Sequence, residues 1–579
     1  MRVKSCLMVT MTALVIALFH AAPADLKAQA AGPAALSGVV SSQEEGKMEG
    51  VVVSARRDGG NFTVSVVSDA QGRYSFPRTH LEPGKYTITT RAAAFELTSP
   101  GPVEVTAGKA ASADLKLAKS KDPGFQLSSA EWAASWPGPA EKVMAVANHG
   151  CTYCHTLERI ARTKYTAEQW VPVLTRMQTY FLDGTAVAGD RGRAAKNFAS
   201  VVEAAAKNPN SVGGTKLQTG EFLATLNLSG GKTTWPYELK TLPRPKGAAT
   251  RVIMTQWDMP RKDTVAHDLA VDASGHPWYN DQSKMFIGTL DPKTSKFTEY
   301  ALPELPAGRP GGVSDLEFDK DGNLWTMLTN AEGECDFGNP VKFDTKTQKV
   351  TYVEIPDRDS VLGTRNPCGL QFVARAPDGR MWFSNTQSLL RVEPKSAKVD
   401  GTFLFNKSPN APPGRHVGYQ VVVNSKGNGY ISDFGGTSHV ISVDGKTGEA
   451  KFWPTPTLNA GARRGQIDAQ DRYWFAEYRG NKAAMFDTKT DKFQEWPLPV
   501  PFTYPYTSSA PDKNGRVYLS SNMSERLVRL DPKTGETVEY LIPTAFDSKK
   551  ILYDPTASRT TIWMSNKRTA RFLRVELLD

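Results

Sequence analysis

From Ala35 to about Leu117 apolar and polar positions alternate with a period of two, as in VVVSARR, GRYSF and GKYTITTRA, with turn residues every eight to twelve positions. That period predicts short antiparallel strands and, over residues 31–118, a small β-sandwich. Over residues 139–230 the period becomes helical. GPAEKVMAVANHG sets Val143, Val146 and Ala147 on one face, TAEQWVPVLTRMQTYF sets Trp170, Val173, Leu174, Met177 and Phe181 on another, and EFLATLNL closes the segment. Between the two regimes, residues 119–138 mix Lys, Pro, Gly and Ser, which predicts a linker or a docking strap.

Over residues 231–579 the alternation returns as a repeat. One copy reads VDASGHPWYNDQSKMFIGTLDPKTSKFTEYALP: a glycine turn, an aromatic strand, a strand ending in L-D, a P-K-T turn and an outer strand. The acidic anchor recurs at Asp291, Asp344, Glu393, Asp444, Asp487, Asp531 and Glu576, at intervals of 43 to 53 residues. Trp278, Trp325, Trp382, Tyr430, Trp474, Tyr518 and Trp563 hold equivalent aromatic positions. Four short strands per unit and seven anchors predict a seven-bladed β-propeller. The last unit lacks an outer strand, and Arg251–Pro260 has the pattern of a spare one, so joining the two ends closes the ring and removes its open edges. The fold class expected is multidomain and mainly β: a small β-sandwich, an α-helical domain and a seven-bladed propeller.

Composition narrows the setting. At 40% hydrophobic and 22% charged, the chain of 579 residues has the balance of a folded globular protein. Arg2 and Lys4, the apolar run Leu14–Phe19 and Ala28-Gln29-Ala30 form a cleavable signal peptide over residues 1–30, and no later stretch is long and apolar enough to span a membrane. The net charge of +10 is spread along the chain without a basic block interleaved with aromatics, which argues against nucleic-acid binding. An exported chain meets an oxidising compartment. Cys335 and Cys368, both in loop-like stretches, are therefore expected to form a disulfide worth about 3 kcal/mol, the alternative being two buried thiols.

Cys151-Thr-Tyr-Cys154-His155 is a C-x-x-C-H, the attachment signature of c-type haem: two thiols add to the vinyl groups and the adjacent imidazole ligates the iron. Zinc would need two further ligands, and from His155 to His267 there is neither another Cys nor another His. The sixth haem ligand is expected at Met177, the one Met between residues 156 and 253, with His149 as the alternative. CTYCHTLERIARTKYTAEQW, with the later R-M, resembles small bacterial cytochrome c domains, which implies a monohaem cytochrome c domain over residues 139–230.

Two further resemblances bear on function. SDAQGRYSFPRTHLEPGKYTITTRAAAFE, with Asp69, Gly72, Tyr74, Pro83, Gly84 and Tyr86, resembles carboxypeptidase regulatory-like modules, which implies a spacer or binding platform; His80 beside the turn reads as a surface histidine. RRGQIDAQDRYWFAEYRGNKAAMFDTKT, residues 463 to 490, resembles the repeats of the streptogramin (virginiamycin B) lyase family, whose members use a divalent metal held in the central channel. That resemblance implies a lyase site with His267, Glu477 and His416 holding Mg²⁺. Asp281, Asn385, Asp433, Asn522 and Asn566 fall near the position equivalent to Glu477 and are expected to line a channel that binds a polar ligand or is hydrated. Arg463 and Arg464 are expected to clamp an anion there or to stand as solvated rim charges.

A haem with both axial positions filled implies electron transfer. The expectation is a periplasmic oxidoreductase component with a redox partner protein and a small-molecule ligand for the propeller. The alternatives are a metal-dependent lyase with an accessory haem, and a haem-bearing scaffold that docks partners without turnover.

Overall fold

The computed structural model describes residues 33–99, 101–138, 143, 146, 151–152, 155–182, 216–303, 311–330, 339–356, 371–414, 416–435 and 438–578. The expected signal peptide and the Cys335–Cys368 pair lie outside them, as do His149 and Cys154.

Six four-stranded antiparallel units follow one another within residues 266–301, 311–352, 372–403, 418–454, 462–497 and 505–541, the last two joined into one eight-stranded sheet by a parallel bridge between Arg464 and Thr507. Each pairs its strands in chain order, and the first strands of successive sheets are neighbours around a ring. The local cause is a repeated polar clamp. Asp272, Asp319 and Asp468 each open a tight turn and accept the indole N–H of the Trp six residues later, at 3.0, 2.9 and 2.9 Å. Asp512 accepts the Tyr518 hydroxyl at 2.9 Å in the same way. A buried indole or phenol therefore keeps a hydrogen-bond partner while its ring packs between sheets, which fixes the aromatic at one offset in the repeat. The acidic anchors cap the next turn: Asp444, for example, accepts from the N–H groups of Lys446 and Thr447 at 2.9 and 2.8 Å.

The seventh sheet is a composite. Its strands Ile551–Asp554, Thr561–Asn566 and Arg571–Leu577 are completed by Val252–Asp258, in register from Val252 opposite Leu577 to Asp258 opposite Arg571. The spare outer strand expected from the sequence thus closes the ring. Its other edge is also paired: Ile253–Trp257 run antiparallel to Phe62–Val66 of the N-terminal sandwich, so one eight-stranded sheet runs from the ring into the sandwich.

His80 is not the surface histidine expected. Its Nε2 lies 2.9 Å from Glu576 Oε2 with only 11% of its side chain exposed, so it bridges the sandwich to the last strand of the ring. Glu576 is the one anchor with no turn to cap, which leaves it available for that contact. Burial opposes its charge, but the hydrogen bond from His80 and the neighbouring Arg574 hold its carboxyl below the ordinary range.

Residues 119–138 are a docking strap rather than a linker. They contain helix α1, Ser129–Ser135, capped by reciprocal Ser128–Glu131 bonds, with Trp132 fully buried. The Ala130 N–H donates to the Met523 carbonyl of the ring at 3.0 Å, and Glu131 Oε1 accepts from Leu242 N–H at 2.8 Å. Helices α2, Glu158–Ala161, α3, Ala167–Leu182, and α4, Lys216–Leu226, follow. The segment expected as a separate helical cytochrome c domain shares its core with the strap and the ring.

A strand paired on both edges has no solvent-facing N–H. Thr255→Pro should therefore cost at least about 3 kcal/mol, read as a lower urea midpoint in which sandwich and ring unfold together; an unchanged midpoint would show that the double pairing is not limiting.

Candidate functional site

Residues Cys151 and Thr152 of the C-x-x-C-H lie against the ring. One apolar core holds Trp132 of α1, Leu157, Ile160 of α2 and Trp170 of α3 together with Tyr478, Tyr504 and Tyr506 of the ring, and Cys151 packs at its edge. Thr152 is buried, its carbonyl accepts from Arg568 Nη2 at 2.6 Å, and its side chain bonds the Tyr478 hydroxyl. Gly220 of α4 permits the helices to pack this closely: a Cβ there would stand 2.4 Å from the Ala167 carbonyl oxygen of α3.

His155 is oriented by its own backbone. Nδ1 donates to the Thr156 carbonyl at 2.9 Å, which leaves Nε2 with the lone pair. Burial holds the ring's pKa below the usual imidazole value and so favours the neutral form a metal needs. The indole N–H groups of Trp132 and Trp170, buried in the same core, find no acceptor among the described residues. Buried donors that lack an acceptor fit a group bearing carboxylates, and a thiol, an imidazole with an open Nε2 and an apolar core fit a haem. Met177 is half-buried on α3.

Next to this segment the ring holds a cationic aromatic cluster. The Arg463 guanidinium carbon lies 4.1, 4.2, 4.3 and 5.3 Å from the ring centroids of Phe434, Tyr478, Tyr506 and Tyr419. Lys549 Nζ lies 4.3 Å from the Tyr506 ring, 2.9 Å from Asn522 Oδ1 and 2.8 Å from Asp547 Oδ1. Burial pulls the Lys549 ammonium down to about 7, with Asp547 opposing the shift.

Arg464 is not at the rim either. Fully buried, it pairs with Asp268, lies 3.0 Å from Asp315 Oδ1 and donates to the Lys549 carbonyl at 2.9 Å. Lys550 Nζ reaches Asp315 Oδ1 at 2.7 Å, and His267 Nδ1 lies 2.6 Å from Asp268 Oδ2. Burial opposes the charge on Asp268, but Arg464 and His267 hold its carboxyl well below the usual range. The expected anion clamp is thus satisfied by the chain's own carboxylates, drawn from the first strands of the first and second sheets.

The Asp and Asn residues expected to line the channel mostly tie loops instead. Asp281, Asn385, Asp433 and Asn566 each accept, through Oδ1, the N–H two residues ahead, at 3.0, 2.8, 2.7 and 3.0 Å. Asn522 differs: it donates to the Tyr478 hydroxyl at 3.0 Å and accepts from Lys549. Glu477, one methylene longer, turns toward the outer strand of its own sheet. There burial and the adjacent Glu495 carboxylate push its carboxyl up to about 9.

His267, Glu477 and His416 are therefore not brought together as a Mg²⁺ site. Among the described residues the one group of three possible ligands is His416, Asp433 and His439, in the fourth sheet. Asp433 was legible as a polar strand end and His416 as a histidine of the ring; His439 gave no sequence signal of joining them.

Residues 35–118 match the family model of the carboxypeptidase regulatory-like domain. No curated protein sequence matches the chain. Among solved structures, virginiamycin B lyase from Staphylococcus aureus is similar, with a TM-score of 0.47 and 18% identity over 56% of this chain and 99% of that one. A streptogramin B lyase has a TM-score of 0.47 and 16% identity over 57% of this chain and 100% of its own. The extracellular domain of a putative one-component system from B. thetaiotaomicron has a TM-score of 0.42 and 15% identity, covering 54% of this chain and 40% of that one.

Two outcomes follow. Arg464→Ala leaves Asp268 and Asp315 without their shared cation and should destabilise the ring by about 3–5 kcal/mol, measured by urea denaturation; a loss under about 1 kcal/mol would show that Lys550 and His267 suffice. Because Glu477 is raised from its unfolded value of 4.5 to about 9, its stabilising contribution is complete below pH 4.5 and is lost as pH rises through 9. Glu477→Gln should therefore gain in Tm relative to the parent protein between pH 5 and 9; parallel Tm profiles would show that Glu477 ionises normally.

Proposed function

We propose that the protein is an exported c-type haem protein of electron transfer, an oxidoreductase component in which the ring supplies the binding face for a partner or small molecule. The observation that carries this reading is the burial of Thr152, inside the C-x-x-C-H, between Arg568 and Tyr478 of the ring. A haem carrier merely tethered to a propeller would not need those contacts.

Cys151 and Cys154 would hold the haem covalently, with His155 Nε2 and Met177 as the candidate ligands of its iron. When bound, the haem would supply one-electron chemistry. The chain's own groups do the rest. The aromatic core packs against the attachment segment, Arg568 holds the Thr152 carbonyl, and Arg463 stacks on Tyr478, which Thr152 also contacts. Lys549, buried beside Tyr506 and Asp547 with its ammonium pulled down to about 7, is a group that could keep or release a proton near neutral pH. Among the described residues no helix is long and apolar enough to cross a membrane.

Matured protein should carry haem that stays with the chain in denaturant, and Cys151→Ser with Cys154→Ser should abolish that attachment. Oxidised protein should then be reduced by one member of a panel of periplasmic metabolites, followed by haem absorption with and without EDTA. Absence of covalent haem overturns the reading; consumption of a compound in an EDTA-sensitive way without haem reduction replaces it with the lyase.

A further inference from the structure

The fourth sheet holds a convergent group away from the haem segment, on the loop before its first strand, Gly418–Val423, and at the ends of its second and third, Gly429–Asp433 and His439–Val443. We propose that His416 Nδ1, Asp433 Oδ2 and His439 Nδ1 bind a divalent transition-metal ion of the zinc class. This does not rest on the haem reading.

Spacing is the first argument. The candidate ligand atoms of the three residues lie within 4.8 Å of one another; Asp433 Oδ2 is 2.9 Å from His416 Nδ1 and 3.7 Å from His439 Nδ1. Metal–ligand bonds of about 2.0–2.1 Å in tetrahedral array set ligand atoms roughly 3.3 Å apart, between those two values. Small side-chain shifts complete the fit.

Hydrogen bonding is the second. Asp433 Oδ1 accepts from Val417 and Gly435 N–H at 2.8 and 2.7 Å, so the carboxylate is fixed and Oδ2 faces the imidazoles. His416 Nε2 lies 3.0 Å from the Pro412 carbonyl oxygen. A carbonyl can only accept, so the proton belongs on Nε2 and the Nδ1 lone pair points at Asp433 Oδ2. Lone pair against carboxylate is repulsive unless a proton or a metal ion lies between, and a carbonyl behind the far nitrogen is the usual support of a metal-bound histidine.

The third argument is an unmet partner. His439 is 7% exposed, and its Nδ1 makes no hydrogen bond among the described residues. The two imidazoles meet edge to face at 5.3 Å, and Phe452 covers both.

Two imidazoles and one carboxylate suit zinc and its neighbours better than magnesium, which prefers oxygen ligands. His416 also borders a cleft of about 780 Å³ with Thr386, Asn406 and Lys407, and the chain supplies three ligands, which leaves the fourth position of a tetrahedral site to water or a small anion. Arg479, which donates to the Phe434 and Gly435 carbonyls, adds positive charge nearby, so the affinity should fall below that of a four-ligand structural site.

The test is calorimetric titration of EDTA-treated, dialysed full-length protein with Zn²⁺, with bound zinc counted by mass spectrometry and folding checked by circular dichroism. One zinc per chain is expected at this site, with affinity reduced at least about 100-fold in both His439→Ala and His439→Gln. Parent protein that takes up no zinc, or folded variants that bind it as tightly as the parent, would overturn the proposal.

Discussion

The structure depends on one strand that is hydrogen-bonded along both edges. Val252–Asp258 gives the seventh sheet its fourth strand on one side and extends the sandwich sheet on the other. A ring built from identical units would otherwise expose two open edges, and this chain covers one with the other. The arrangement constrains the segment between the two domains. The sandwich strand Phe62–Val67 and the ring strand Val252–Asp258 are fixed side by side, so the chain between them must leave the shared sheet and return to it. The strap, the haem motif and the helices lie on that excursion, held at Met523 by Ala130 and at Arg568 by Thr152.

A second constraint sits inside the ring. Arg464 joins Asp268 and Asp315 with no solvent contact, and Lys550 adds a second cation. Such a network gains little net stability, because desolvation offsets most of the Coulombic attraction. What it supplies is specificity: each partner comes from a different sheet, so a register slip in any one of them would strand a buried charge. The same network occupies space where a polar ligand was expected. This moves attention to the neighbouring cluster of Arg463, Lys549 and the tyrosines.

The repeat, the closing strand and the sandwich were legible in the sequence because they are written in periodicity and in turn chemistry, both local properties. The C-x-x-C-H is a short fixed spacing readable from the sequence alone, and the haem it suggests belongs to the proposed reading. The fates of Arg463 and Arg464 were not legible: adjacent in sequence, they leave one strand on opposite faces, and which face meets aromatics and which meets carboxylates depends on other sheets. The Asp and Asn residues at strand ends misled for a related reason. A polar residue closing a strand can face a channel or cap its own turn, and only the geometry shows the N–H groups that Asp281, Asn385, Asp433 and Asn566 satisfy. His80 and Glu576 are almost five hundred positions apart, and no local signal joins them.

On the proposed reading, these constraints would give a haem segment one fixed place. A cytochrome on a flexible tether presents its haem in many orientations, whereas this segment is pinned at Thr152 by ring residues from two sheets, Tyr478 and Arg568. Electron transfer gains from a fixed separation between donor and acceptor, because neither must search for the other. The cationic aromatic cluster and the C-x-x-C-H segment are held together by the ring. Since that ring is closed by the strand on which the excursion ends, the fold that positions the motif and the fold that completes the propeller are the same structure.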